Sequence, residues 1–134
     1  MNTVIIDYGS GNLHSALKSF QRVANINNRG SVQVSDNPNV IKNADRIVLP
    51  GVGSFDDCME GLLSKKDLMA ILKKRVLGDG IPFLGICVGL QLLADLGHEN
   101  KKNSPGLGWI GGQVKRIPSS PHNFRVPHMG WNSL

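Results

Sequence analysis

The chain has 134 residues, 40% of them hydrophobic and 19% charged, with a formal net charge of +5. That length and balance suit one small globular domain with a core of its own, and exclude a disordered or fibrous chain. No apolar run approaches the roughly 20 residues of a membrane span, and the start, MNTVIIDYG, has no basic leader before its first strand-like run.

The first unit reads strand, glycine turn, helix. Val4 to Ile6 form a short buried-type strand, and Tyr8-Gly9-Ser10-Gly11-Asn12 turns the chain. Leu13, Ala16, Leu17, Phe20 and Val23 then recur at helical spacing, with Asn12 as N-cap. Gly9-x-Gly11 is half of a dinucleotide fingerprint, but the third glycine should fall at position 14, where His14 stands. The turn is therefore expected to let the backbone approach something closely, not to hold a nucleotide.

A second strand, Val32 to Val34, leads into Asn37-Pro38, a helix start with Pro at its first position. A third, Arg46 to Leu49, ends in Pro50-Gly51-Val52-Gly53. A helical segment from about Phe55 to Val76 follows, interrupted near Ser64. Its Lys65, Lys66, Lys73, Lys74 and Arg75 have no interleaved aromatics and no nucleic-acid motif beside them, so they predict a solvated helix face. The fourth strand, Pro82 to Ile86, runs into another helix. Four β–α repeats imply an α/β fold, a doubly wound parallel sheet with flanking helices and right-handed crossovers. Beyond Leu96 the chain is loop-rich to Gly112, alternates like a strand over Gln113 to Ile117, and leaves a strand fragment at Phe124 to Val126.

The stretch PFLGICVGLQLL carries the chemistry. Gly85 and Gly89 flank Cys87 two residues before and two after it, the cysteine form of a nucleophile elbow. The sharp strand-to-helix turn crowds those two positions, so a Cβ there would clash. The turn aims the sulfur over a helix N-terminus, whose unpaired N–H groups favour negative charge. The only other cysteine is Cys58, so the chain has no disulfide framework, and a reducing, cytoplasmic setting is expected.

In a parallel sheet, ligands collect beyond the carboxyl ends of the strands, where DYGSGN, PGVGSF and GICVGLQ all fall. Backbone N–H groups of Gly51, Val52 and Gly53, with that of Val88, are candidates for an oxyanion hole. Gln91, one helical turn past Cys87, is placed to hydrogen-bond a polar substrate. The nucleophile also needs a base. His98 lies about 16 Å away if the elbow helix runs through. His14 belongs to the first helix and His122 to a Pro/Ser-rich loop. His128 in PHMGW is the least implausible base, although a structural or interface role suits it better.

Taken together, VIIDYGSGNLHSALKSF, ADRIVLPGVGSFDDCM, PFLGICVGLQLL and GLGWIGG continuing to VPHMGWN resemble the class I, triad-type glutamine amidotransferases. Within them the stretches are similar to the glutaminase subunits of imidazole glycerol phosphate synthases. The resemblance implies a single amidotransferase domain over 1–134. It also implies that Cys87 attacks the side-chain amide of glutamine, giving a glutamyl thioester and ammonia. Gly51, Val52 and Gly53 would line the oxyanion and glutamine site with Val88, and Gln91 would hold the substrate. Neither cofactor nor metal is implied, and neither nucleic acid nor membrane. The ammonia would pass to a (β/α)8 cyclase partner in histidine biosynthesis, docked near Asn12, His128 and Trp131. Members of the family carry a further His-Pro-Glu element that completes the triad. The chain stops before it, so the domain is expected to be incomplete at its C-terminus and the chain alone to hydrolyse glutamine poorly. A docking module or remnant without the triad His and Glu is the alternative. A peptidase on the same fold is opposed by DYGSGN and PHMGWN.

Overall fold

A computed structural model describes residues 1–99, 102–118, 126–131 and 133. It contains the expected parallel sheet. The strands are β1 (Asn2–Ile6), β2 (Ser31–Ser35), β3 (Arg46–Gly51) and β4 (Phe83–Cys87). They lie in the order β2-β1-β3-β4, and every neighbouring pair is parallel. β1 is flanked on both sides, and its uninterrupted Val4-Ile5-Ile6 is buried on both faces, as a central parallel strand requires.

The helices between the strands start where their caps dictate. Asn12 caps α1 (Leu13–Ile26) by accepting the Ser15 N–H at 3.1 Å. Asn37 caps α2 (Pro38–Lys42) through the Asn39 N–H at 2.9 Å. Ser54 caps α3 (Phe55–Ser64) through the Asp57 N–H at 3.1 Å, and Asp56 and Asp57 place negative charge in its first turn. The expected break near Ser64 is present: the chain turns through Asp67, at φ 63°, into α4 (Leu68–Leu72). α4 then widens into a π-helical turn over Lys73–Gly78, with Arg75 paired to Asp79 at 2.6 Å. Lys66, Lys73 and Lys74 are exposed as expected, and half-buried Lys65 reaches Asp36 at 3.1 Å. Arg75 departs from the expected solvated face: it is half-buried and also donates to the Ala44 carbonyl at 2.8 Å.

The core lies on one side of the sheet. Val4, Ile6, Ile47 and Leu49 point there, against Ile41 of α2, Cys58 and Leu62 of α3, and Leu68 and Leu72 of α4. The alternate strand residues face α1. That helix has no fully buried residue, and Val23, the last residue of its apolar period, is 60% exposed. Phe20 and Val23 stand with Val48, Phe83 and Leu84 around an apolar hollow of about 310 Å³.

Four expectations need correction. β3 runs two residues further than expected, because Pro50 and Gly51 pair with Ile86 and Cys87. The elbow helix α5 is a single turn, Val88–Gln91, so the chain does not run straight from Cys87 toward His98. The region after Asp95 contains a hairpin where loop was expected: β5 (Leu96–Glu99) pairs antiparallel with β6 (Lys102–Pro105). β7 is only Gln113–Val114, parallel to β5. The expected strand at Phe124 to Val126 falls mostly outside the described residues, as does His122. Among the described residues no helix is long and apolar enough to cross a membrane.

Candidate functional site

Cys87 is the last residue of β4, and α5 begins at the next residue. Its backbone sits at φ 56° and ψ −120°, a conformation that costs an L-residue energy and is held only when its surroundings enforce it. They do so through glycine. A Cβ on Gly89 would lie 1.9 Å from the Leu49 carbonyl oxygen, and one on Gly85 would lie 2.6 Å from the Leu90 Cα. Both contacts are with backbone, which cannot move aside. Cys87 is exposed at the carboxyl edge of the sheet, and both cysteines are free thiols. Because α5 has one turn, the dipole of a long elbow helix is absent, and the local direction of the Val88 amide matters more.

The PGVG turn lies beside the sulfur because of strand register. Gly51 is directly opposite Cys87 in the β3–β4 ladder. A Cβ on Gly51 would meet the Gly89 nitrogen at 2.5 Å, so the two glycine turns are in contact. Val52 is the first residue beyond the strand, and Gly53 follows at φ 102°.

The orientation of the Val52 peptide differs from the sequence-based expectation. Its N–H donates to Ser10 Oγ at 3.0 Å, and Ser10 Oγ donates in turn to the Val52 carbonyl at 2.8 Å. Cys58 Sγ lies 3.4 Å from the same carbonyl and 3.2 Å from Ser10 Oγ. One residue back, the Tyr8 hydroxyl donates to the Pro50 carbonyl at 2.7 Å. Burial pushes the Tyr8 phenol well above its ordinary range, and its interaction with Cys58 adds to the rise. A Val52 N–H bonded to Ser10 cannot serve as an oxyanion donor in this conformation. The Val88 N–H, at the first position of α5, has no acceptor within its helix.

Gln91 ends α5 and lines a hollow of about 360 Å³ with Phe55, Gly97, His98, Glu99 and Arg116. Glu99 accepts the Phe55 N–H at 2.5 Å, which ties the hairpin to the head of α3. The hollow therefore offers a carboxylate, a guanidinium and an amide within one small space, a set that suits a zwitterionic amino-acid head group. Glu99 and Arg116 were not singled out from the sequence. A β5–β6 hairpin was the missing piece of information, and LGHE and KNSP have no periodicity that signals one.

His98 is engaged on its own hairpin, with Nδ1 2.7 Å from Asn103 Oδ1 and Nε2 3.0 Å from Gln113 Oε1. That agrees with its exclusion as the base. His14 is exposed on α1, and His128 is exposed in the closing segment. Trp131 is wholly exposed, and Met129 is 86% exposed. Asn12 stands at the same sheet edge as Cys87, its side-chain oxygen used in capping.

The family described as "Glutamine amidotransferase class-I" matches residues 4–133. The chain is 52% identical over 135 residues to the imidazole glycerol phosphate synthase subunit HisH of Cereibacter sphaeroides, covering 100% of this chain and 63% of that protein. It is 50% identical over 134 residues to the protein of the same name from Ruegeria pomeroyi, again across 100% of this chain and 63% of the relative. The Pelagibacter ubique protein of that name is 42% identical over 134 residues, with the same coverage of 100% and 63%. The chain thus spans 63% of the length of these relatives. A strained cysteine elbow, a glycine turn in register with it and a match across nearly the whole chain lead to one conclusion: the chain belongs to the class-I glutamine amidotransferase family.

Proposed function

We propose that the chain carries the nucleophile and glutamine-binding part of an amidotransferase subunit that supplies ammonia for imidazole glycerol phosphate synthesis. The observation that carries this reading is the pairing of Gly51 with Cys87, which sets a glycine turn rich in backbone amides beside a strained, exposed thiol. Gln91, Glu99 and Arg116 hold the substrate's polar groups. The Cys87 sulfur adds to the carboxamide carbon of glutamine, and the carbonyl oxygen takes up negative charge beside the Val88 N–H. Collapse breaks the C–N bond. Ammonia leaves with the proton it needs, and a glutamyl thioester remains, which water hydrolyses to glutamate and free thiol. The thiol proton passes to a general base as the sulfur attacks.

The relatives' name as synthase subunits supports a further subunit as partner; in this reading it is the (β/α)8 cyclase that consumes the ammonia, in a cytoplasmic setting, as the sequence resemblance implies. The exposed Trp131 and Met129, with His128 and Asn12, supply the surface for it. The test is alkylation of the chain by the chloromethyl ketone analogue of glutamine, followed by mass spectrometry. Cys87 should take up the label, glutamine should protect it, and Cys87→Ala should abolish it. Labelling of Cys58 instead, or no protection by glutamine, overturns the proposal.

A further inference from the structure

We propose that the hollow between α3, the π-helical turn and segment 106–109 is a second ligand site, which takes a small organic cation with an apolar body, an arylalkyl amine in chemical class. The hollow measures about 670 Å³, a size that suits a small molecule, and shares no lining residue with the hollow that contains Gln91. Its first wall is the outer face of α3, where Asp56, Glu60 and Leu63 stand at helical spacing. Met69, Lys73 and Leu77 form the facing wall at every fourth position. The wide turn that begins at Lys73 offsets the drift that this spacing accumulates in an α-helix, and so keeps Leu77 in line with Met69. The third wall is preformed. Four successive N–H groups, from Gly106 to Trp109, donate to the carbonyls of Asp95, Leu92, Ala94 and Leu93 at 2.7–3.1 Å.

The charges around the hollow are unmatched. Asp56 Oδ1 is shielded from solvent and has no hydrogen-bond partner, and neither Glu60 nor Lys73 is ion-paired among the described residues. A buried carboxylate oxygen without a donor carries its full desolvation cost. Rotation about the soft terminal torsion of Asp56 turns that oxygen toward a donor lodged in the hollow. Two carboxylates stand against one ammonium, and the ammonium is the group free to leave. Asp56 is short and half-buried, whereas Lys73 is exposed and carries its charge on a long stem that extends into water. A cation therefore meets net negative charge here, although the chain as a whole carries +5. Its apolar body has a surface to cover: Leu63 is 60% exposed and Leu77 52% exposed, on opposite walls. The Trp109 indole, set edge-on against Phe83 at 5.3 Å, adds an aromatic surface between them.

The probe is phenethylamine, with 3-phenylpropionate as a molecule of similar body and opposite charge, each titrated into the full chain and followed by two-dimensional NMR. Phenethylamine should saturate with a Kd of about 1 mM, as its few atoms allow. It should shift the Trp109 indole and the Met59 and Leu63 amides, and 3-phenylpropionate should bind at least tenfold more weakly. Asp56→Asn should weaken the amine about tenfold, the ratio for a hydrogen bond to a charged group. Glu60→Gln and Leu63→Gln change exposed positions that do not threaten the fold, and each should weaken binding about threefold. Blocking Cys87 with iodoacetamide should leave the affinity unchanged. The proposal is overturned by absence of saturation, by equal binding of the two probes, by shifts that map away from the hollow, or by undiminished affinity in Asp56→Asn or in both exposed variants. A loss of affinity on blocking Cys87 also overturns it, since the amine would then occupy the thiol site. The glutaminase reading stands or falls separately, on protection of Cys87 by glutamine.

Discussion

The two faces of the parallel sheet are made from the same strands and are packed very differently. Val4, Ile6, Ile47 and Leu49 meet α2, α3 and α4 and disappear from solvent. Ile5 and Val48 on the opposite face are covered too, yet Leu84 of the edge strand is 49% exposed and, among the described residues, α1 is the one helix above it. Strand hydrophobicity does not distinguish the faces; the number of helices does. The site takes its support from the closed face. Val88 and Leu92 behind the elbow, and Phe55 and Cys58 beneath the PGVG turn, all belong to that core. A strained cysteine and a glycine turn can be held in place only where packing behind them is dense.

Substitutions can break this comparison or sharpen it, and the largest effect is expected at Gly89. Gly89→Ala drives a methyl group into the Leu49 carbonyl. It should cost about 3 kcal/mol or more and collapse the urea midpoint. Leu62→Ala and Leu72→Ala hollow the closed face, where both side chains are wholly buried. Each should lower stability by about 2–5 kcal/mol. The same truncation at Val23, on the open face, should cost no more than about 0.5 kcal/mol, as for surface positions generally. Trp109 packs edge-on against Phe83 at 5.3 Å, so its fluorescence follows these denaturation curves. Equal losses at Leu62 and Val23 would abolish the contrast between the faces.

Two smaller effects refine it. Tyr8→Phe removes the only hydroxyl bonded to the buried Pro50 carbonyl among the described residues. It should cost about 1–2 kcal/mol and leave the Trp109 environment intact. The smallest effect lies at Asp36, whose carboxyl the Lys65 ammonium holds below the ordinary carboxylate range. The folded pKa is depressed, so the contribution to stability is present above the unfolded value and is lost as pH falls through the folded one. NMR titration should show this carboxyl retaining its charge to lower pH than a free aspartate does. High salt, or Lys65→Ala, should return it toward the ordinary value, because the pair is exposed and screened.

Much of the fold was legible in the sequence because its signals are local. Asn12, Asn37-Pro38 and the buried runs of β1 and β3 each specify their element within a few residues. The elbow was legible for the same reason, since the two glycines that its backbone requires stand two positions either side of Cys87. The orientation of Val52 was not legible, because a hydroxyl across the chain sets it. Nor was the exposure of Val23: helical periodicity marks an apolar stripe but does not say how much of the sheet reaches it. The β5–β6 hairpin escaped because its ladder joins polar segments with no alternation, and with it Glu99 and Arg116 escaped as neighbours of Gln91.

The register of β3 on β4 also determines where the chain tolerates changes in length. A residue inserted or deleted within Arg46–Gly51 would shift Gly51 off Cys87 and turn every later side chain of the strand to the opposite face. The PGVG turn would then lie out of step with the sulfur even if the protein folded. The turn between α3 and α4 has no such duty, since β4 finds its own partner afterwards whatever the connecting length. Length variation in this protein should therefore collect around Lys65–Asp67 and be absent from the two strands that hold the thiol and its glycine turn together.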